Sequence, residues 1–176
     1  MKLSRRFLPV ALAGAGVLHL PVRAQDAAQA EPERDYPAPK FKPSMKKPRI
    51  SSTLAQDFVI FAHYDLDMVK KLLEKDANVL NATVDWGGGD WESGLGGASH
   101  LGRRDIAEYL LERGARLDLF AATMLGHLDA VKAMLTARPI LIDAKGPHGI
   151  PLVVHAKMGG KEAADVLAYL EGLKKA

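Results

Sequence analysis

The 176 residues (19.0 kDa) are enough for one domain with a single hydrophobic core, and a composition of 48% hydrophobic and 26% charged residues excludes a wholly disordered chain and a polytopic membrane protein. Without cysteine, the chain has no disulfides, no thiolate zinc site, no iron–sulfur cluster and no cysteine nucleophile. The net charge of +3 comes from the first 24 residues, which contain no acidic residue, whereas residues 51–176 carry 14 basic and 17 acidic residues and therefore predict no nucleic-acid binding.

Residues 1–24 have the pattern of a cleavable signal peptide. A basic start precedes a 13-residue apolar stretch from Leu8 to Leu20, and Val22-Arg23-Ala24 supplies the small residues that signal peptidase accepts. The stretch is too short to span a membrane. Ser4-Arg5-Arg6-Phe7-Leu8 resembles a twin-arginine export signal, with the general secretory route as the alternative. We expect a periplasmic or secreted protein with no stable membrane insertion after cleavage.

Residues 25–50 are predicted to be a disordered linker. They contain five of the ten prolines, alternating charges and almost no aliphatic residues. Such a segment cannot bury enough apolar surface to fold.

Residues 51–176 contain an internal repeat. Three segments align without gaps: 64–73, 102–111 and 126–135. Apolar residues recur at offsets four, five, eight and nine from the start of each, which places them on one face of an amphipathic helix. A shorter helical segment precedes each copy, at 54–63, 97–101 and 119–125. The first of these opens with Thr53-Leu54-Ala55-Gln56, which has the pattern of a capping box.

A short helix, a glycine turn and a longer helix ending in Gly114-Ala115 resemble the ankyrin repeat, whose inner part reads A-A-x-x-G-H-x-x-x-V-x-x-L-L-x-x-G-A. Residues 126–135, Gly-His-Leu-Asp-Ala-Val-Lys-Ala-Met-Leu, match best, and Gly149-Ile150-Pro151-Leu152 is similar to the family's opening motif. The resemblance covers about residues 54–173. It implies an all-α ankyrin-repeat solenoid of three to four helix-turn-helix repeats, and binding to a protein partner.

The spacing of the repeats departs from the family pattern. The turn positions 64, 102, 126 and 159 are separated by 38, 24 and 33 residues, against a family period of about 33. We therefore expect short or missing hairpin fingers in general, with repeat three lacking its finger and repeat two having an enlarged one. By resemblance, fingers and inner helices form the binding side.

The enlarged finger falls in residues 84–97, which hold both tryptophans and six of the 16 glycines. One interpretation is that Trp86 and Trp91 pack over the repeat stack. The other is that Trp86, Asp90, Trp91 and Glu92 form the partner-binding site. A third alternative is a carbohydrate-binding or glycosidase-like protein that uses the same four residues, with Asp90 and Glu92 as the catalytic carboxylates.

Other chemistry finds little support in the sequence. No Gly-Lys-Ser/Thr follows the glycines, and Asp85, Asp90 and Glu92 lack the EF-hand pattern of a calcium loop. Ser99 narrowly misses a nucleophile-elbow motif and is expected to be a packing residue. The five histidines after residue 50 form no i, i+4 pair, although adjacent turns would allow them to meet in space.

The sequence therefore predicts an exported, monomeric ankyrin-repeat module that binds another protein. We expect no catalytic residues, no cofactor, no metal site and no nucleic-acid partner.

Overall fold

The computed structural model describes residues 35–37, 39–41, 44 and 47–174. The predicted signal peptide, residues 1–24, lies outside the described residues, as does most of the predicted linker. The described residues between 35 and 50 lie in neither helix nor strand. Ile50 packs against the hydrophobic core, so the folded part begins slightly before the predicted boundary at residue 51.

The described chain is mostly helical, which confirms the all-α expectation in its general form. Residues 47–174 form eight α-helices and one two-stranded sheet. The helices are α1 (Ser52–Phe61), α2 (Leu66–Lys75), α3 (Gly94–His100), α4 (Arg104–Glu112), α5 (Leu119–Leu125), α6 (Leu128–Ala137), α7 (Leu152–Met158) and α8 (Ala164–Leu173). Short 3-10 helices occupy Ala77–Asn81, Pro139–Asp143, Pro147–Gly149 and Gly160–Ala163. No helix among the described residues is both long and apolar enough to cross a membrane.

Polar side chains fix the first residue of several helices. Asp65 and Asp118 accept hydrogen bonds from the backbone of Met68 and Ala121, at 2.9 and 2.8 Å. These caps satisfy backbone donors that have no partner within the helix. The predicted capping box at Thr53 is wrong, because α1 begins at Ser52, two residues before the predicted start, and is capped by Ser51.

The predicted apolar faces of α2, α4 and α6 are largely buried. Val69, Ala107 and Val131, which share offset five of the repeat, are all fully buried. Met134 is the exception, with 38% of its surface exposed. The period of the apolar residues thus identifies the buried face of these helices, except at Met134 in α6.

The helices pack as consecutive pairs. Each odd-numbered helix contacts the helix that follows it, and α1, α3, α5 and α7 also contact one another in that order. One core, with Phe58, Ile106 and Leu110 among its fully buried members, extends from α1 to α5. A second, with Leu152 and Leu170, extends from α5 to α8. Because α5 contributes to both cores, it joins the two halves of the domain.

A β-hairpin fills the long connection between α2 and α3. Its strands, β1 (Thr83–Asp85) and β2 (Trp91–Ser93), are antiparallel. Asp85 accepts hydrogen bonds from the backbone of Gly87 and Gly89, at 2.9 and 3.1 Å, which closes the loop between the strands. The segment predicted to be an enlarged finger therefore contains a structured hairpin.

The turn glycines allow neighbouring helix pairs to approach closely. Gly102 and Gly126 have φ angles of 67° and 78°, in the left-handed region that favours glycine. A side chain at Gly126 would overlap the backbone carbonyl of Glu162, and one at Gly102 would overlap that of Met158. Both turns therefore need glycine for conformation and for space.

Replacing Gly126 by alanine tests this packing, with Gly114→Ala as the matched control. Gly114 has a φ of 89° but no atom within 4 Å of an added methyl group. We expect Gly114→Ala to lower the free energy of unfolding by about 1–2 kcal/mol through backbone strain alone. Gly126→Ala adds a steric overlap, for which we expect a further loss of about 1–3 kcal/mol. Urea unfolding measures both, and equal losses would contradict the close packing.

Candidate functional site

The hairpin register places Glu92 inside the protein and Trp91 outside it. Val84 pairs with Glu92, and Asp85 pairs with Trp91. Successive residues of a strand point to opposite faces of the sheet. Glu92 is accordingly 1% exposed, whereas Trp91 is 61% exposed.

Three histidines and one tryptophan surround the Glu92 carboxylate. The Trp86 indole Nε1 donates a hydrogen bond to Glu92 Oε2 at 2.7 Å. His63 Nε2 and His148 Nε2 lie 3.3 and 3.5 Å from the same oxygen. His100 Nδ1 lies 3.1 Å from Glu92 Oε1. We refer to His63, Glu92, His100 and His148 as the Glu92 cluster.

The outer nitrogens of two of these histidines are hydrogen-bonded. His63 follows α1, and its Nδ1 donates to the backbone carbonyl of Val59 at 2.8 Å. His148 Nδ1 lies 2.8 Å from Asp90 Oδ2, while Asp90 Oδ1 accepts a 2.8 Å bond from the His148 backbone. Because carbonyl and carboxylate oxygens accept hydrogen bonds, Nδ1 is the donor in both rings, and the Nε2 atom of each ring faces Glu92.

His148 has an unusual backbone conformation. With a φ of 58°, it is the one non-glycine residue of the described chain in the left-handed region. Such a conformation persists where the surrounding contacts hold it. Here the two bonds to Asp90 hold it and direct the His148 ring toward Glu92.

The glycines of α3 make room for the cluster. A methyl group at Gly97 would lie 2.7 Å from His63 Cε1, and one at Gly94 would lie 2.8 Å from Phe58 Cε1. At Gly96 it would lie 3.3 Å from Pro147 Cγ. Glycine disfavours helix formation by about 1 kcal/mol per residue relative to alanine. Glycine at these positions nevertheless allows the His63 ring and the core residues of α1 to approach α3 closely.

Two buried polar atoms of the cluster have no hydrogen bond. His100 Nδ1 and Glu92 Oε1 are close to each other, but their angles do not satisfy hydrogen-bond geometry. Both side chains are more than nine-tenths buried. A buried polar atom without a partner is destabilising, so the site has unused capacity to bind another group.

The contacts within the cluster change the pKa values of Glu92 and His63. Burial acts to raise the pKa of Glu92, but contacts with His100, His63 and Trp86 outweigh it and lower that pKa from 4.5 to about 2. The pKa of His63 is raised, chiefly by its contact with Glu92. Glu92 is therefore ionised at neutral pH, and its charge favours protonated or otherwise cationic neighbours.

A groove of about 380 Å³ lies beside the cluster, on the outer side of the hairpin. Trp91 and Asp90 line it from the hairpin, and Phe120 and Asp118 line it from α5 and its cap. Lys145 lines it from the segment that precedes the 147–149 turn. Phe120 is half-buried and Lys145 is exposed. The groove thus combines two aromatic rings with charges of both signs.

The structure separates the four residues predicted to bind a partner. Trp91 lies at the surface, and Asp90 lines the groove while it binds His148. Trp86 is half-buried against the first core and donates to Glu92, as the packing interpretation predicts for it. The expectation that Glu92 projects from the binding side is wrong, because it is a buried hydrogen-bond acceptor.

Three further interpretations of the sequence can be compared with the structure: a calcium site, a glycosidase, and a packing role for Ser99. Asp85, Asp90 and Glu92 have separate partners, namely the hairpin loop, His148 and the histidine cluster, so they do not converge as calcium ligands. A glycosidase acid needs a raised pKa. That of Asp90 is lowered, mainly by the hydrogen bond from the His148 backbone, and that of Glu92 is lowered as well. Ser99 is fully buried and donates to the Leu95 carbonyl at 2.6 Å, as expected of a packing residue.

Searched against models of known protein families, the chain matches none, and no curated protein is significantly similar to it in sequence.

Acid unfolding tests the ionised state of Glu92 in metal-free buffer. Its folded pKa, about 2, lies below its ordinary value of 4.5. Between these values the unfolded chain binds a proton that the folded chain does not, so stability decreases as pH falls through this interval. We expect Glu92→Gln to be less stable at neutral pH by roughly 1.5–3 kcal/mol, the contribution of charged hydrogen bonds, and to lose less additional stability below pH 4.5.

The control for this experiment is Glu108→Gln, which removes an exposed carboxylate paired with Arg104. An exposed pair of this kind contributes about 0.5 kcal/mol or less. Urea unfolding at a series of pH values gives both comparisons. The same acid dependence in the wild type and in Glu92→Gln would contradict the low pKa of Glu92.

Proposed function

We propose that the chain is an exported, non-catalytic module of ankyrin-like helix pairs that binds a protein partner. The serial contacts of α1, α3, α5 and α7 support the ankyrin-like architecture, as do the glycine turns between the paired helices. The long hairpin before α3 corresponds to the enlarged finger of such a repeat.

The observation that carries the proposal is the exposure of Trp91 beside the groove. A tryptophan that is 61% exposed contributes little to the core, and it leaves a large apolar surface available for binding. Tryptophan is enriched among residues that dominate interface energies. Asp118 and Lys145 supply charges of opposite sign along the same groove, which suits a peptide segment with mixed charge.

Trp91→Ala tests this surface, with Trp86→Ala as the contrasting variant. Because Trp91 is exposed, we expect its truncation to change stability by less than about 0.5 kcal/mol. We expect the same truncation to weaken partner binding by about 2 kcal/mol, roughly thirtyfold. Trp86→Ala loses core contacts and the bond to Glu92, so it should lower stability by about 3 kcal/mol.

The measurements are thermal unfolding and recovery of partners from the native envelope fraction. Ile140→Ala serves as the control, because this residue is 79% exposed and lies outside the groove. Trp91→Ala protein that recovers the same partners as the wild type would contradict the proposal. If the wild type shows a tryptophan fluorescence response to a glycan and Trp91→Ala loses it while recovering the same protein partners, the carbohydrate-binding alternative is supported instead.

Export is a separate part of the proposal, and it rests on residues 1–24 alone. We expect the mature chain to begin at Gln25, directly after Val22-Arg23-Ala24. N-terminal sequencing of the envelope-fraction protein checks the cleavage position. Replacement of Arg5 and Arg6 by lysine should block export by the twin-arginine route, whereas unchanged export would indicate the general secretory route.

A further inference from the structure

The Glu92 cluster has the donor set of a transition-metal site. His63, His100 and His148 supply imidazole nitrogens, Glu92 supplies a carboxylate oxygen, and the four donor atoms all lie within 4.8 Å of one another. Imidazole nitrogen suits zinc, copper, iron and nickel, whereas calcium and magnesium prefer oxygen ligands. The chemistry of the cluster therefore favours a transition metal.

The contacts outside the cluster are those that orient metal ligands. A metal-bound histidine usually donates its second N–H to a backbone carbonyl or a carboxylate. His63 does the first through Val59, and His148 does the second through Asp90. Trp86 in turn donates to the carboxylate of Glu92, which fixes its orientation.

The buried atoms without hydrogen bonds point to the same conclusion. His100 Nδ1 and Glu92 Oε1 face each other at 3.1 Å and neither has a hydrogen bond. A cation between them would satisfy both atoms. No side chain or backbone group of the described chain does so.

We propose that His63, Glu92, His100 and His148 bind one divalent transition-metal ion, with Zn²⁺ as the first candidate. Four protein ligands in a tetrahedral arrangement are typical of a structural zinc site. At a zinc–ligand distance of about 2.0–2.1 Å, neighbouring ligand atoms lie about 3.3 Å apart. The four donor atoms, which lie within 4.8 Å of one another, would draw together by up to about 1.5 Å to meet this geometry.

Such an ion would link four separate segments of the chain. His63 follows α1, and Glu92 lies on β2. His100 is the last residue of α3, and His148 lies in the 147–149 turn. A metal bound by all four ties the hairpin to the helices beneath it. The proposal does not depend on the partner-binding function of the groove.

Metal titration of the full chain tests the site. The protein is purified without a polyhistidine tag, treated with a chelator and titrated with Zn²⁺ by calorimetry. We expect one equivalent per chain with submicromolar affinity, as in structural zinc sites, together with a higher melting temperature. Co²⁺ should give the visible absorption bands of tetrahedral coordination.

Two variants test His148 as a ligand and Asp90 as the residue that orients it, and circular dichroism checks that each is folded. His148→Asn removes a ligand while asparagine tolerates the left-handed backbone at this position. Asp90→Asn keeps an acceptor for the His148 backbone but loses the one for its ring. We expect Asp90→Asn to weaken zinc binding by about 10–100-fold, and His148→Asn to weaken it by at least as much, with altered cobalt spectra.

His127→Gln is the matched control, because His127 is exposed and lies outside the cluster. Its affinity and cobalt spectrum should equal those of the wild type. The proposal is overturned if the folded wild-type chain takes up no Zn²⁺ or Co²⁺. It is also overturned if folded His148→Asn binds zinc as tightly as the wild type.

Discussion

Burial of the Glu92 carboxylate is the constraint around which this part of the fold is organised. An ionised carboxylate removed from water is destabilising by several kcal/mol unless charged or hydrogen-bonding groups surround it. The groups that do so here come from different segments, with Trp86 on the hairpin, His63 after α1 and His100 on α3. The same negative charge therefore holds each of these segments in position. Displacement of any one of them would leave the buried carboxylate with fewer partners and would destabilise the contacts that the others make with it.

The position of Glu92 on a short strand also determines which surface the hairpin presents. Side chains alternate along a strand, so an inward Glu92 requires an outward Trp91. A shift of one residue in register would bury Trp91 and expose the carboxylate. The buried charge resists that shift because its hydrogen-bond donors lie on the inner side. The exposed tryptophan is thus a consequence of the buried glutamate beside it.

The helices could be predicted from the sequence, but the cluster could not. The spacing of Val69, Ala107 and Val131 is a local property that predicts a buried helix face directly. The cluster depends on contacts between residues distant in sequence, which no local period encodes. Gly97 lies in a segment predicted to be helical, but its local sequence does not indicate that the His63 ring packs against it. The one indication in the sequence is that the histidines after residue 50 fall on adjacent turns, where they could meet in space.

The contact between His148 and Asp90 follows from the uneven spacing of the helix pairs. Residues 113–118, which connect α4 to α5, contain no strand, so no second hairpin separates β1–β2 from the 147–149 turn. The two meet directly, through Gly96 against Pro147 and through both oxygens of Asp90. The two bonds from Asp90 stabilise the left-handed backbone of His148, which a turn without such bonds would not retain. The short connection therefore allows a residue from the fourth helix pair to complete a site that the first two pairs begin.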